Sequence, residues 1–334
     1  MKFPTALLAL ATSLLASSIS ASDFSLVGFA KENPIGATTG GSSPSNSNTT
    51  VSTPAQLIAA VEGDTSLIIY LAPVTFTLTA RLKVGSNKSL IGTGSKTTIT
   101  GAGINIKSVS NVIVRNLGIR FILGNDGITI QNSTRVWIDH NEFESDITGG
   151  PDKYDGQCDI VRASDWITVS WNYFHDHWKS SLMGNSDSNR DEDQGHLHVT
   201  YHHNYWRNEG TRGPAGRFGH QHIFNNLYED YLYQAIHSRS DNQVLVEGNV
   251  FLGNTSEALS TYGLVIPMDS PNTSPDGDYE LDGFANLGAK NDWGTAGINI
   301  TQKGNFTEAP YAYSLTSLSQ VQSVVKAGVG LGKI

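Results

Sequence analysis

One phrase recurs six times between Asn111 and Phe251: a run of alternating β-formers that ends on an asparagine. It reads Asn111-Val-Ile-Val-Arg-Asn116, Val136-Trp-Ile-Asp-His-Asn141, Trp166-Ile-Thr-Val-Ser-Trp-Asn172, Val199-Thr-Tyr-His-His-Asn204, His222-Ile-Phe-Asn-Asn226 and Val244-Leu-Val-Glu-Gly-Asn249. The final asparagines are 25, 31, 32, 22 and 23 residues apart. One short strand phrase per period of this size marks a coiled β-solenoid, in which each turn buries its apolar face only against its neighbours. The two long spacings are one turn plus an insertion, and the insertions contain Asp146 to Tyr154 and Asn185 to Gln194. Insertions on one face of a solenoid commonly build a binding site. The asparagines are expected to stack at one corner, where Asn tolerates left-handed backbone and its amide bonds the neighbours above and below. A β-sandwich is the alternative, but it needs short glycine-containing hairpins, and few are seen.

A solenoid must cover its ends. Thr53 and Pro54 before Ala55–Val61 predict a helix with threonine at the N-cap, plugging the N-terminal end. Ser317 to Ala327, with Gly328 behind it, predicts a C-terminal helix. The polar tract from Ser42 to Thr50 reads as a surface loop. The first 20 residues read as a secretory signal of approximate end: Lys2, an apolar run from Ala6 to Leu15, then small residues. That run is too short to span a bilayer, and no later stretch is long and apolar enough. Residues 21–334 then form one domain, secreted and without a membrane anchor.

Seven sequons follow the leader, at Asn48, Asn87, Asn132, Asn254, Asn272, Asn299 and Asn305, and are candidates for glycosylation. Cys158 is the only cysteine, so no intrachain disulfide can form and a large core must hold the fold. Between Gln157 and Asp159 it is expected to turn inward. A net charge of −9 without a basic run argues against nucleic acid as a partner. A polyanion could bind only through a local basic cluster or a bridging cation.

Such a cluster exists. Thr211-Arg212-Gly213-Pro214-Ala215-Gly216-Arg217 places two arginines in a Gly/Pro-rich loop after a strand-like run, and Lys179 lies a turn earlier. Asp155 and Asp159 are spaced to share a strand face with Gln157, and Asp126 lies one turn before them. Adjacent turns stack about 4.8 Å apart, so these carboxylates can surround one ion. Oxygen donors without sulfur suit Ca²⁺. Taken singly, each residue has a bland reading: a turn aspartate, a solvated strand acid, a surface lysine, a structural arginine. Their joint arrangement points to a site for a hard cation and an anionic substrate. Histidine pairs (His175 with His177, His196 with His198, His202 with His203) offer a zinc alternative, but most fall within or beside the strand phrase, where stacked rings are the simpler reading. Asp187 to Asp193 could hold a second cation, though a charged loop accounts for it.

At these residues the chain resembles the pectate lyases, secreted polysaccharide lyases of family 1, and its short, almost cysteine-free form is similar to fungal members. The resemblance rests on Val136-Trp-Ile-Asp-His140, Asp155-Gly-Gln-Cys-Asp159 leading to Val169-Ser-Trp-Asn172, His175-Asp-His-Trp-Lys179-Ser-Ser-Leu-Met-Gly184, and Arg212-Gly-Pro-Ala-Gly-Arg217. It covers nearly all of the chain after the leader. It implies an all-β fold, a single-stranded right-handed parallel β-helix with N- and C-terminal capping helices. It implies Asp126, Asp155 and Asp159 as calcium ligands, with glutamate at the Asp155 position in some relatives. It implies Arg212 as catalytic base and Lys179 and Arg217 as binders of substrate carboxylates. Trp137, Asp139 and His140 match a motif away from the groove and are expected to be structural.

The implied reaction is endo-acting anti β-elimination on α-1,4-linked polygalacturonate, giving 4,5-unsaturated oligogalacturonides, and the implied state is a monomer. An arginine base needs its proton loosened, and nearby positive charge from Ca²⁺ and Lys179 is expected to lower its pKa. An alkaline optimum follows. Pectin lyases, which act on methyl-esterified chains without calcium, tend to have arginine in place of the acids kept here. A β-helix hydrolase needs a tight acid and base pair and phrases absent from this chain. A noncatalytic carbohydrate-binding β-helix would have no reason to keep Lys179, Arg212 and Arg217 together.

Overall fold

A computed structural model describes residues 24–42 and 47–334, so the expected leader over residues 1–20 lies outside the described residues. Ten parallel strands, from Asn48–Val51 to Phe284–Leu287, form one face of a β-helix, each paired with its counterpart one turn later. A seventeen-strand sheet wraps the remaining faces, and its pairings are also parallel. The first strand, Asn48 to Val51, takes up the end of the tract from Ser42 to Thr50 expected to be a loop; pairing with Leu67–Leu71 overrides its polar composition.

The interior is a set of stacked columns. Phe143, Phe174, Trp206, Tyr228 and Phe251 stack in succession, with interplanar angles of 5°, 7°, 5° and 2°. Cys158 is fully buried opposite Ile128, as its inward placement predicts.

The asparagine corner is real and differs in detail. Asn141, Asn172, Asn204, Asn226, Asn249 and Asn291 form a continuous ladder, each Nδ2 donating to the next Oδ1 at 3.0–3.1 Å. Asn116 is not a rung. Arg115 pairs with Asp139, so Leu117 occupies the ladder position, and the 25-residue spacing is a 24-residue turn displaced by one. The left-handed backbone also falls one residue before the rung, at His140, Trp171, His203, Asn225 and Gly248. The rung asparagines aim their amides along the stack, and the left-handed bend is made by the residue before.

The first helix spans Pro54–Val61, with the Thr53 side chain accepting from Gln56 N at 3.3 Å, and buries Leu57 and Val61 over the N-terminal end of the core. The second spans Leu318–Gly328. It lies along the flank, not across the open end: Val321 and Val325 pack against Trp171, Tyr205, Leu227 and Val250, which belong to four successive turns. The last segment of the chain therefore runs back along the coil. Tyr311 reaches Thr200 and His222 at 2.7 and 2.6 Å, Gly330 N donates to Trp171 O at 3.0 Å, and Gly332 N donates to Asn116 Oδ1 at 2.7 Å.

Candidate active site

On the outer side of the seventeen-strand sheet an open cleft of about 340 Å³ is lined by Asp126, Thr129, Asp155, Asp159, Asn185 and Arg212, among others. All three expected acids and one of the three expected cations thus meet. Asp126, before the strand Ile128–Gln131, accepts from Gly156 N at 3.1 Å and from the Thr129 hydroxyl, with Arg81 4.0 Å away. Asp159, in the strand Cys158–Val161, accepts from Leu182 N at 3.0 Å. Gly156 leaves room for this carboxylate: a Cβ there would stand 2.3 Å from Asp159 Oδ1 and displace it.

Gln157 does not share the face of the two aspartates. The strand begins only at Cys158, so strict alternation does not extend back to Asp155, and Gln157 turns under the sheet and is buried. Burial pushes the Asp126 carboxyl up, and the charge of Asp155 adds to it. Burial also pushes Asp159 well up, reinforced by Asp126 and opposed by Arg212. The cleft therefore holds carboxylates short of positive partners.

Arg212 follows the strand Tyr205–Thr211 and precedes a cis Gly213–Pro214 bond, with its own φ at 66°. Its Nε and Nη2 donate to the side chain and carbonyl of Asp269, each at 2.5 Å. Burial presses the guanidinium down, but Asp269, then Asp159, outweigh it and hold it above its ordinary value. Asp269 also accepts from the fully buried Arg239 at 2.5 Å. Burial pushes this carboxyl up, yet Arg239 and Arg212 together keep it well below the usual range.

Arg217 stands beside this network without lining the cleft. Its Nε and Nη2 donate to Glu280 at 2.8 and 2.5 Å and its Nη1 to Gly184 O at 2.7 Å. Lys179, also buried, donates to Asp152 at 2.8 Å. Asp152 belongs to the first insertion and is 71% exposed, so a carboxylate entering from solvent already meets this ammonium. Asp269, Glu280 and Arg239 carry no signal in the repeat, since the two acids lie in an excursion that leaves the coil after Ser260.

Among the described residues, one trio has metal-ligating atoms within 4.8 Å of one another: Glu142, Glu144 and His175. Arg120 bridges its two carboxylates at 3.0 and 3.1 Å, and His175 is bonded to Asp176, so this is an ion-pair cluster outside the cleft. The three cleft aspartates are set wider. The other histidines mostly stack: His203 on Trp171 at 4.4 Å, His198 on Trp166 and on His220 at 4.5 and 5.2 Å, and His202 on Phe224 at 5.0 Å. In the second insertion, Glu192 pairs with Arg162 at 2.9 Å and Arg190 with Asp241. Trp137, Asp139 and His140 are buried: Asp139 binds Ser170, Arg115 and His140 at 2.6–2.7 Å, and Trp137 Nε1 donates to Ser170 at 2.9 Å.

The family model described as pectate lyase matches residues 1–334. A probable pectate lyase A of Aspergillus fumigatus is 41% identical over 278 residues, 83% of this chain and 80% of that protein. Pectate lyase A of Emericella nidulans is 41% identical over 282 residues, 84% and 80% of the two chains. Among solved structures, a Bacillus sp. N165 pectate lyase in complex with trigalacturonate superposes with a TM-score of 0.75 at 29% identity, covering 92% of this chain and 99% of that one. The β-helix, the acidic cleft beside Arg212 and these matches agree: the chain belongs to the pectate lyase family of polysaccharide lyases.

Proposed function

We propose that this chain is a calcium-dependent, endo-acting enzyme that cleaves α-1,4-linked polygalacturonate by anti β-elimination to 4,5-unsaturated oligogalacturonides. The observation that carries the reading is the meeting of Asp126, Asp155, Asp159 and Arg212 in one open cleft. The relative solved with trigalacturonate supports an unesterified substrate.

The donor set fits a hard cation. All three groups are carboxylates, two of them raised by burial and by a neighbouring carboxylate, and Ca²⁺ tolerates irregular coordination completed by water or substrate oxygen. Asp126, Asp155 and Asp159 would hold it. When bound, calcium would supply positive charge against the uronate carboxylate, where negative charge develops as the C5 proton leaves.

Arg212 would take that proton. Asp269 occupies Nε and Nη2, and among the described residues Nη1 has no protein acceptor, so Nη1 is the nitrogen free to act. As the C5–H bond breaks, its electron pair forms the C4–C5 double bond, and the C4–O4 bond breaks on the opposite face with its pair going to O4, which takes a proton from solvent. Asp269 and Asp159 hold the Arg212 proton in place, so the active form becomes more common as pH rises. Lys179 would bind a substrate carboxylate in place of Asp152. Arg217, oriented by Glu280, would use its remaining N–H groups in the same way.

Secretion is supported by the leader reading of the first 20 residues; no helix among the described residues is long and apolar enough to cross a membrane. Among the sequons, Asn48, Asn132, Asn254, Asn299 and Asn305 are exposed and suit a glycan best. Asn87 and Asn272 use their amide nitrogens on backbone carbonyls at 3.0 and 2.9 Å.

The test is incubation with polygalacturonate, with calcium and with a chelator, following ultraviolet-absorbing product. Calcium-requiring product supports the reading. Product that survives chelation and rises with methyl-esterified substrate replaces it with pectin lyase action, and no cleavage under any condition leaves a binding protein.

A further inference from the structure

The outer face of the seventeen-strand sheet continues past the aspartates toward the N-terminal end. There the strand Ile128–Gln131 pairs with Ile104–Lys107, and that strand with Leu82–Val84. Ile128, Ile130, Ile104, Ile106, Leu82 and Val84 are buried, so the alternate residues face outward. Asp159 stands opposite Thr129, Thr129 opposite Asn105, and Asn105 opposite Lys83, while Lys107 stands opposite Gln131. Three turns separate Asp159 from Lys83, about 14 Å. Arg81 joins this row to the cleft, because its Nη2 donates to the Thr129 hydroxyl and lies 4.0 Å from Asp126. Arg81 and Lys83 also line a second hollow, of about 400 Å³, between the first helix and the strand Leu82–Val84.

These cations differ from those at the reaction centre. Lys179, Arg212, Arg217 and Arg239 each have a carboxylate oxygen within 2.8 Å. Lys83 and Lys107 are exposed, and neither has an ion-pair partner among the described residues. The one acid lining the second hollow is Glu62. A single surface lysine is ordinary. Three cations on two neighbouring turns repel one another, and an anion laid across them removes that repulsion. They are gathered on a chain with 31 acidic and 22 basic residues, so the cluster runs against the overall charge.

We propose that Arg81, Lys83 and Lys107 form a distal subsite for the carboxylates of further galacturonate units of the chain held in the cleft. The proposal rests on the lyase reading. A polygalacturonate carries one carboxylate per sugar, and a sugar is comparable in length to one turn of the coil. Successive carboxylates therefore meet successive turns. The row makes the enzyme sensitive to substrate length: a polymer lying over the aspartates reaches Lys83 and Lys107, and a short oligomer held across the bond to be cut does not. Exposed charges act weakly and are screened by salt, so the row contributes to KM and not to kcat.

The double variant Lys83→Gln with Lys107→Gln tests this, since both side chains are exposed and neither touches the reacting sugars. Native protein and variant are compared on oligogalacturonates from the trimer upward and on the polymer, all with saturating calcium. The two should agree within about twofold in kcat/KM on the shortest oligomer cleaved and diverge with length, to roughly three- to tenfold on the polymer, through KM. High salt should close that gap. Profiles that stay together at every length, or are displaced equally at every length, overturn the proposal. A native protein that cleaves no substrate overturns the lyase reading, and migration through a polygalacturonate gel then decides for the row: weaker retention of the variant supports it, and equal retention overturns it.

Discussion

Replacing Asp269 with asparagine removes one negative charge from between two buried arginines. The carboxylate binds Arg212 Nε and Arg239 Nη1, each at 2.5 Å, and is 1% exposed. Asparagine offers one acceptor oxygen for two guanidiniums. Arg239 is the more exposed to the loss, since its other carboxylate, on Glu280, is 3.6 Å away and its Nε and Nη2 have no hydrogen-bond partner. Breaking a buried ion pair from one side costs about 3–5 kcal/mol. With roughly 2.1 cal/mol/K of unfolding entropy per residue, that cost lowers the Tm of a domain this long by roughly 5–8 °C. The pH dependence has a definite sign. The Asp269 carboxyl is held well below its ordinary value, so its stabilisation is complete above the ordinary carboxylate range near pH ~4 and fades as pH falls through the folded value. The gap between native protein and variant should be full at pH 7.5 and narrow at pH 3. Activity carries a second signature, because Asp269 both places Arg212 and holds its proton. The variant should lose roughly ten- to a hundredfold in kcat at the optimum, while its rate begins to rise at lower pH than in the native enzyme. Calorimetry at the two pH values and a pH–rate profile at 25 °C measure both. A Tm change below about 2 °C at pH 7.5 together with an unmoved profile would refute the reasoning.

Arg212→Lys should retain calcium binding but lose about a hundredfold or more in kcat, read by product formation and by calcium titration of the same sample. Chelation should lower Tm more at pH 8 than at pH 4.5. The Asp126 and Asp159 carboxyls are raised, so without a cation their ionisation costs stability as pH rises above the ordinary carboxylate value. Equal shifts at both pH values in paired thermal melts would remove these aspartates as ligands. Gly156→Ala places a methyl against Asp159 and should weaken calcium binding about tenfold in a titration while leaving the rest of the coil folded. Asn204→Ala deletes bonds to Val169 O and Asn226 Oδ1, at 2.9 and 3.0 Å, and strands Asn172 N, at a cost of about 2–4 kcal/mol in denaturant unfolding.

The coil was legible because its rule is local: the strand phrases end on the same kind of residue, and in all but the first that residue bonds its own image one turn away. The details that escaped are positional. Asn116 imitates the phrase one residue out of register, and Asn291 continues the ladder 42 residues after Asn249, too far to read as a repeat. Asp126, Asp155, Asp159 and Arg212 could be gathered in advance because they fall within a few residues of one register on turns close together in the stack. Asp269 and Glu280 could not, because their partnership with Arg212, Arg239 and Arg217 is made by a long excursion whose path no short-range pattern specifies. Gln157 escapes because strand alternation does not reach back to Asp155, three residues before the strand begins.

The returning C-terminal segment changes how such a stack comes apart. A solenoid whose turns touch only their neighbours behaves as a one-dimensional zipper, able to open from its last turn a unit at a time. Here the chain that leaves the last turn lies back over His222, Thr200 and Trp171 and ends on Asn116, 216 residues earlier. The distal turns cannot unwind far without stripping this strap from the proximal ones, so the ends of the stack share their fate. Partial opening becomes a costly intermediate, unfolding is driven toward a single cooperative event, and a protease in the surrounding medium meets few half-open turns to cut.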